Sequence, residues 1–312
     1  MAVYFLYMKT FGRANGSSAT SAIAYRAGER IRDERTGKVY DHTGRQGVVH
    51  TQIVLPHRLD DADMSWAQDR ATLWNAVESA ETRKNARVAR EFLVALPAEL
   101  EPEGRLALVR GFAQELADRY QFAVDVAIHA PRTDPRNFHA HLLASTREIN
   151  TEGFGPKTTL ELNDSVRSSR GLEPFVQELI ATRERWATWT NEALRAAQLD
   201  ARVDHRSLAA QGIEREPRPQ LPRAVYEMER RGEFNVVAAR MRAEHEARVR
   251  ERVERAAVKL APRQEKAAAP AHSIDEIRRQ ARENWLRLRE AQRAAAAPAK
   301  AQERAIDDDL AQ

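Results

Sequence analysis

Three histidines within a short span carry the clearest chemical signal in this sequence: His129, then His139 and His141 inside Asn137-Phe138-His139-Ala140-His141-Leu142-Leu143. Side chains alternate between the two faces of a β-strand, so His139 and His141 project from the same face. The other face takes Phe138, Ala140, Leu142 and Ala144, a core-facing set. His129 closes an earlier segment in which Phe122, Val124, Val126 and Ile128 alternate in the same way, leaving Asp125, Ala127 and His129 opposite. Two adjacent antiparallel strands would gather all three imidazoles on one surface. Three neutral imidazoles suit a divalent transition metal and leave coordination positions open for substrate or water. A closed structural zinc site would want a fourth ligand, usually cysteine, and the chain has none. A His-x-His pair is a weak pattern alone; the shared phase of the two apolar faces strengthens it.

A second candidate is Tyr25, within Gly16-Ser17-Ser18-Ala19-Thr20-Ser21-Ala22-Ile23-Ala24-Tyr25-Arg26-Ala27-Gly28-Glu29. This is a small-residue helix presenting one tyrosine with nothing large to shield its hydroxyl. A phenol that titrates near about 10 is a poor nucleophile at neutral pH. A nearby divalent metal and the cationic Arg26 would favour phenolate character. An ordinary tyrosine on an amphipathic helix would look the same, and the segment alone favours that reading.

Elements must exist to position these groups. Candidate strands are Val3–Thr10, Val48–Leu55, Arg90–Leu96, Phe122–Ala130 and Phe138–Thr146, with Pro56, Pro97 and Pro131 just beyond the ends of three of them. Helical spacing marks Ser18–Arg30, Ser65–Ala86, Pro102–Tyr120 and Leu172–Ala197. The link between His129 and His139 is too short for a crossover, so those two strands are antiparallel. The expected class is α+β: an antiparallel sheet covered by helices on one face. From about Arg223 the chain becomes dense in Arg, Glu and Ala. Arg223–Leu260 and Asp275–Ala297 read as long solvated helices, with Ala267–Ala271 and Ala294–Ala299 as low-complexity links. The expected division is a domain over residues 1–215 and a charged, largely helical or partly disordered tail over 216–312.

With 312 residues there is room for one large domain plus an appendage. The lack of cysteine excludes a disulfide framework and fits a reducing, cytoplasmic setting. No apolar run is long enough to span a bilayer, and the N-terminus begins as a strand rather than a secretory signal. The formal charge is +4, carried mostly by Arg. Arg suits bidentate phosphate contacts, although a coding bias would enrich it equally, so charge alone only permits a nucleic-acid partner.

A tyrosine helix followed by His…His-x-His resembles the relaxases of plasmid mobilisation, a group of the HUH endonucleases. More narrowly, the chain resembles the MobA/MobL (MobQ-type) relaxases and the N-terminal part of TraA-type conjugal transfer proteins. The segments carrying this resemblance include Ser21–Glu29, Asp33–Lys38, Val48–Ile53, Leu73–Glu78, Ala89–Phe92 with Ala95-Leu96-Pro97, the histidine cluster, and Ala201–Leu208 continuing through Ala210–Glu214. Each is weak singly; together and in this order they are specific. The resemblance implies a palm-like antiparallel sheet, with Tyr25 as nucleophile and His129, His139 and His141 as ligands of Mg²⁺ or Mn²⁺. Glu91 matches an acidic position near the active site, either orienting a histidine or helping to remove the tyrosine proton, with a plain surface glutamate as the remaining alternative. The chain departs from the family at Leu93, where relatives often carry another acid, and in its charged tail, where longer relatives carry a helicase or primase region.

The activity so implied is a site- and strand-specific nick at a plasmid origin of transfer, single-stranded at the cut, through a 5′-phosphotyrosyl intermediate. Such a protein would act in the cytoplasm with relaxosome accessory proteins and a type IV secretion coupling protein, and travel with the DNA to the recipient cell. Candidate DNA contacts are Arg13, Arg26, Arg30, Arg45, Lys157 and Arg206. Tyr4, Tyr7 and Tyr40 read as strand or loop residues, Tyr7 being the first to consider as an exception. Two other readings remain at this point. One is a rolling-circle replication or transposition initiator, disfavoured because such proteins usually place the histidines before the tyrosine. The other is a non-catalytic DNA-binding accessory protein with a structural metal site.

Overall fold

In the computed structural model, which describes residues 2–131, 134–217, 219, 221, 223–260, 275–276 and 278–291, the chain forms two compact units, Met1–His205 and Arg206–Gln312. The division falls inside the run Ala201–Leu208. In chain order the first unit contains β1 (Leu6–Gly12), α1 (Ala19–Ala27), the hairpin β2 (Arg30–Arg32) and β3 (Val39–Asp41), and β4 (Val48–Val54). Next come α2 (Ser65–Gln68), α3 (Arg70–Ala80), β5 (Arg87–Ala95), α4 (Pro102–Tyr120), β6 (Val124–His129) and β7 (His139–Ser145). A hairpin of β8 (Arg147–Asn150) and β9 (Gly153–Lys157) leads to α5 (Asp164–Ser169) and α6 (Phe175–Ala196).

Five strands form one sheet in the order β1-β5-β7-β6-β4, and every neighbouring pair in it is antiparallel. The fold is α+β. The alternation expected around the histidines is realised in full. Val124, Val126, Ile128, Ala140, Leu142 and Ala144 enter one core with Phe92, Phe112, Leu116 and Trp186, where α4 and α6 pack. Each large apolar side chain so buried contributes about 1.5–3 kcal/mol. Helix α4 starts with Pro102 at its first turn, where the missing N–H costs nothing, and ends at Gln121 in the left-handed region. Gly111 of α4 faces Trp189 of α6 so closely that an added Cβ would lie 2.5 Å from the indole.

Helices cover both faces of the sheet, not one. Ala19, Ala22, Ile23 and Ala24 of α1 and Leu73, Trp74 and Val77 of α3 form a second core with Ile53, Val88, Ala89, Ala123 and Leu143. The one-face expectation failed because α1 buries mainly alanines, whose apolar stripe is too faint to read as a core-facing helix. The segment expected as one helix over Ser65–Ala86 is also broken. Asp69 is extended, its carboxylate accepts from Thr72 N at 2.8 Å to cap α3, and the helix stops at Ala80.

In the second unit α7 (Arg223–Arg230) and α8 (Val236–Leu260) are joined by a helix over residues 278–291. Phe234 meets Trp285 edge-on at 5.5 Å, and Arg242 pairs with Glu229. The low-complexity links Ala267–Ala271 and Ala294–Ala299 lie outside the described residues. Among the described residues no helix is long and apolar enough to cross a membrane.

Candidate metal and tyrosine site

The three histidines converge. His129 and His139 are direct cross-strand partners of β6 and β7, and His141 lies opposite Ala127 in the same ladder. One ligand atom from each ring falls within 4.8 Å of the others. His139 and His141 each have one nitrogen engaged, and His129 has both. His139 Nδ1 donates to the Asn137 carbonyl at 2.9 Å and His141 Nδ1 donates to Glu91 Oε1 at 2.6 Å, which leaves Nε2 of each as a lone-pair donor. His129 Nε2 donates to the Arg26 carbonyl at 2.7 Å, which leaves Nδ1, 3.3 Å from Arg45 Nη2, as the acceptor.

The surroundings favour the neutral form of His129 and His141. Burial pushes His129 down to about 4, with the neighbouring His141, Arg45 and His139 adding to the effect and the Arg26 carbonyl opposing it. Burial also lowers His141, while its contact with Glu91 works the other way. Neutral imidazoles are the form that binds a cation, so this donor set fits a divalent metal.

Glu91 lies beneath the triad and is fully buried. Burial alone would raise its carboxyl, but hydrogen bonds from His141 and Arg26 and the Arg26 charge outweigh it and hold the group well below the usual carboxylate range. Arg26 Nε pairs with Oε1, and Lys9 Nζ stands 3.0 Å from Oε2. Glu91 comes to this place through β5, in which Leu93 is the cross-strand partner of His141.

Tyr25 sits on the outward side of α1, 42 % exposed. Three features hold that helix against the sheet. Ser18 caps it by accepting from Ser21 N at 3.1 Å, and Ala19 N donates to the buried Glu78 at 2.6 Å, a carboxylate placed at the positive end of the helix. Gly28 ends it at φ 69°, where a side chain would be strained and a Cβ would press to 3.3 Å from Val48 Cγ2. The Arg45 guanidinium stacks on the Tyr25 ring, 3.7 Å from its centroid, while His42 meets the ring edge-on at 5.3 Å. Arg45 thereby touches both Tyr25 and His129. Its Nε is buried with no hydrogen-bond partner.

The basic candidates scatter. Arg13 is tied to Glu78 at 2.6 Å, and Arg26 is buried against Glu91 and the Ala22 carbonyl, so both brace the site from within. Arg30 is exposed on β2, 3.7 Å from Asp41. Lys157 donates to Thr146 Oγ1 and pairs with Glu81, both at 2.7 Å. Arg206 is exposed and belongs to the second unit. Sequence reasoning missed Lys9 and Glu78 as supports of the site. Both lie far along the chain from their partners, and no local pattern signals such pairs.

The model of the MobA/MobL family matches residues 17–231. The mobilization protein MobL of Acidithiobacillus ferridurans is 40% identical over 281 residues, covering 82% of this chain and 70% of that one. The conjugal transfer protein TraA of Agrobacterium fabrum is 30% identical over 232 residues, 70% of this chain but only 21% of that much longer protein. A solved structure described as the molecular basis of vancomycin resistance transfer in Staphylococcus aureus superimposes with a TM-score of 0.56 at 31% identity. It covers 66% of this chain and 100% of its own.

Proposed function

The chain belongs to the MobA/MobL family, and from that premise we propose that it is a conjugative relaxase, a metal-dependent nickase and strand transferase acting at a plasmid origin of transfer. It cuts one strand at a defined site through a 5′-phosphotyrosyl intermediate and so begins and ends mobilisation. The observation that carries this reading is the bridge made by Arg45, stacked on Tyr25 and 3.3 Å from His129, which sets a tyrosine beside three convergent imidazoles.

Tyr25 Oη attacks the scissile phosphorus in line. An O–P bond to tyrosine forms, the bond to the 3′ oxygen breaks, the phenol gives up its proton and the leaving oxygen takes one. No water is consumed, so the free 3′-hydroxyl can reverse the step and re-close the strand. A divalent cation held by His129, His139 and His141, Mg²⁺ or Mn²⁺, would neutralise charge on the non-bridging oxygens, and imidazole ligands favour Mn²⁺ of the two. Arg45 offers its unpaired Nε–H to a phosphate oxygen, and its stacked charge favours the negative charge gathering on the phenol oxygen. Glu91 orients His141 rather than taking the proton, because a carboxylate held this low is a weak base at neutral pH.

Arg30, Lys157 and Arg206 remain candidate contacts to the DNA backbone, whereas Arg13 and Arg26 act by holding α1 and Glu91. The substrate is origin DNA, single-stranded at the nick, and the protein works in the cytoplasm with accessory proteins and a secretion coupling protein before travelling with the strand. Purified chain mixed with supercoiled or single-stranded origin DNA and Mn²⁺ should yield an SDS-resistant adduct. His139→Ala should lose metal affinity and nicking together. An intact wild type that never forms an adduct would replace this reading with an accessory DNA-binding protein.

A further inference from the structure

The sheet register shows that the surface carrying the histidines continues, uncovered, toward the edge strand. On the face shared with the triad, Leu143 lies beside Glu91 and Lys9 in one row across the sheet. The next row runs His141, Leu93, Tyr7, and the following one His129, His139, Ala95. Beyond Ala95 lies Phe5, whose carbonyl accepts from Ala95 N at 3.2 Å. Helices α1 and α3 pack over Leu143 and Ala89, α1 reaches His129 through the Arg26 carbonyl, and neither packs on Leu93, Tyr7 or Phe5. The triad therefore stands at the boundary between a covered and an open half of one sheet face.

That open half carries flat apolar groups. Tyr7 is 50 % exposed and Phe5 39 %, with Leu93 half-buried between Tyr7 and His141. Neighbouring strands are about 4.8 Å apart, so Leu93 is one step and Tyr7 two steps from His141, roughly 10 Å in all. A groove of about 550 Å³ opens along the same edge, lined by Phe5, Leu93, Ala95, Phe138 and by His139 itself. At its rim Arg136 stands 3.6 Å from Asp134, so the two charges offset each other and the groove favours flat apolar faces over phosphate.

We propose that this shelf, formed by Phe5, Tyr7 and Leu93 beside His139 and His141, stacks the unpaired bases that adjoin the phosphate at the site. The inference rests on the relaxase reading, which places a single-stranded phosphate at the triad. Continuity in register then requires the flanking nucleotides to leave across a neighbouring surface, and the rows through His139 and His141 lead onto exposed rings. Every base has a π-face, so such a shelf holds single strands without reading their sequence.

The test uses the full chain carrying Tyr25→Phe, with Mn²⁺, and two probes of equal length and charge: a single-stranded oligo(dA) and its abasic counterpart. Phe5→Ala with Tyr7→Ala should weaken oligo(dA) binding roughly tenfold or more and leave abasic binding unchanged. Tyr7→Phe, which keeps the ring, should bind as the parent does. Equal losses on both probes, or no loss on either, overturn the shelf. So does conversion of a dimer to a monomer by the double alanine variant in light scattering, which would make the face a contact between copies. The two readings fail separately. Adduct formation on origin DNA without a base-dependent loss sinks the shelf alone, and base-dependent binding without any adduct sinks the relaxase reading alone.

Discussion

Replacing Glu91 with Gln should cost both stability and metal affinity, and the size of each loss follows from what the carboxylate touches. It is fully buried, accepts from His141 Nδ1 at 2.6 Å and from the Arg26 guanidinium, and forms an ion pair with Lys9 Nζ at 3.0 Å. The Lys9 side chain is 40% exposed, so that pair is worth at most about 1 kcal/mol. Arg26 is buried, and removing its counter-charge leaves a cation in the interior, a loss of roughly 3–5 kcal/mol. Against a typical stability of about 5–15 kcal/mol, this is a large fraction. The amide can still accept from His141, but it no longer carries the charge that fixes the ring, and loss of such a partner lowers metal affinity roughly 10–100-fold. Denaturant unfolding measures the first quantity and calorimetric titration with Mn²⁺ the second. A Glu91→Gln protein that unfolds and binds Mn²⁺ as wild type does would refute the argument that Glu91 supports the triad.

Other consequences concern the triad, the helix that presents Tyr25, and the core beneath. His129 sits near 4 in the folded protein, below its unfolded value of about 6.5, so the unfolded chain binds the extra proton between those limits. The stability of chelator-treated protein from this group should be full above pH 6.5 and fall by on the order of 3 kcal/mol as pH drops to about 4. His129→Gln should remove that part of the slope, and identical slopes would contradict the assignment. Ser18→Ala removes the cap of α1 and should cost about 1 kcal/mol, read by denaturant midpoint; an unchanged midpoint would mean the cap bond contributes nothing. At Gly111, alanine gains about 1 kcal/mol of helix propensity but forces a methyl against Trp189, an overpacking loss of about 1–3 kcal/mol. A lowered melting temperature is expected, and a raised one would show that α4 and α6 can separate freely.

The two histidine strands were legible because they alternate strictly, and a short link forced them antiparallel. Helix α4 was legible from Pro102 to Tyr120 because its apolar stripe is dense. The strand order was not: β5 inserts beside β7, far from it in sequence, and that pairing is what brings Glu91 under His141. The same holds for Arg45. In the sequence it read only as a candidate DNA contact, and only the fold lays it across Tyr25. Arg13 and Arg26 illustrate the reverse case, since an arginine that looks available for phosphate in a sequence is here committed to a buried carboxylate. The hairpins β2–β3 and β8–β9 went unread because three to five residues show too little alternation to stand out.

The central claim, that Tyr25 carries the DNA beside a histidine-held metal, is tested most directly by locating the covalent bond. Adduct formed with 3′-labelled origin DNA and Mn²⁺ can be trimmed with nuclease, digested with trypsin and sequenced by mass spectrometry. Cleavage after Arg13 and Arg26 isolates Tyr25 in the peptide Ala14–Arg26, whereas Tyr4 and Tyr7 share the peptide ending at Lys9. The account predicts the residual nucleotide, joined through its 5′ phosphate, on Tyr25, and none when the metal is chelated. A nucleotide on Tyr7, or an adduct that persists in the Tyr25→Phe protein, would contradict it.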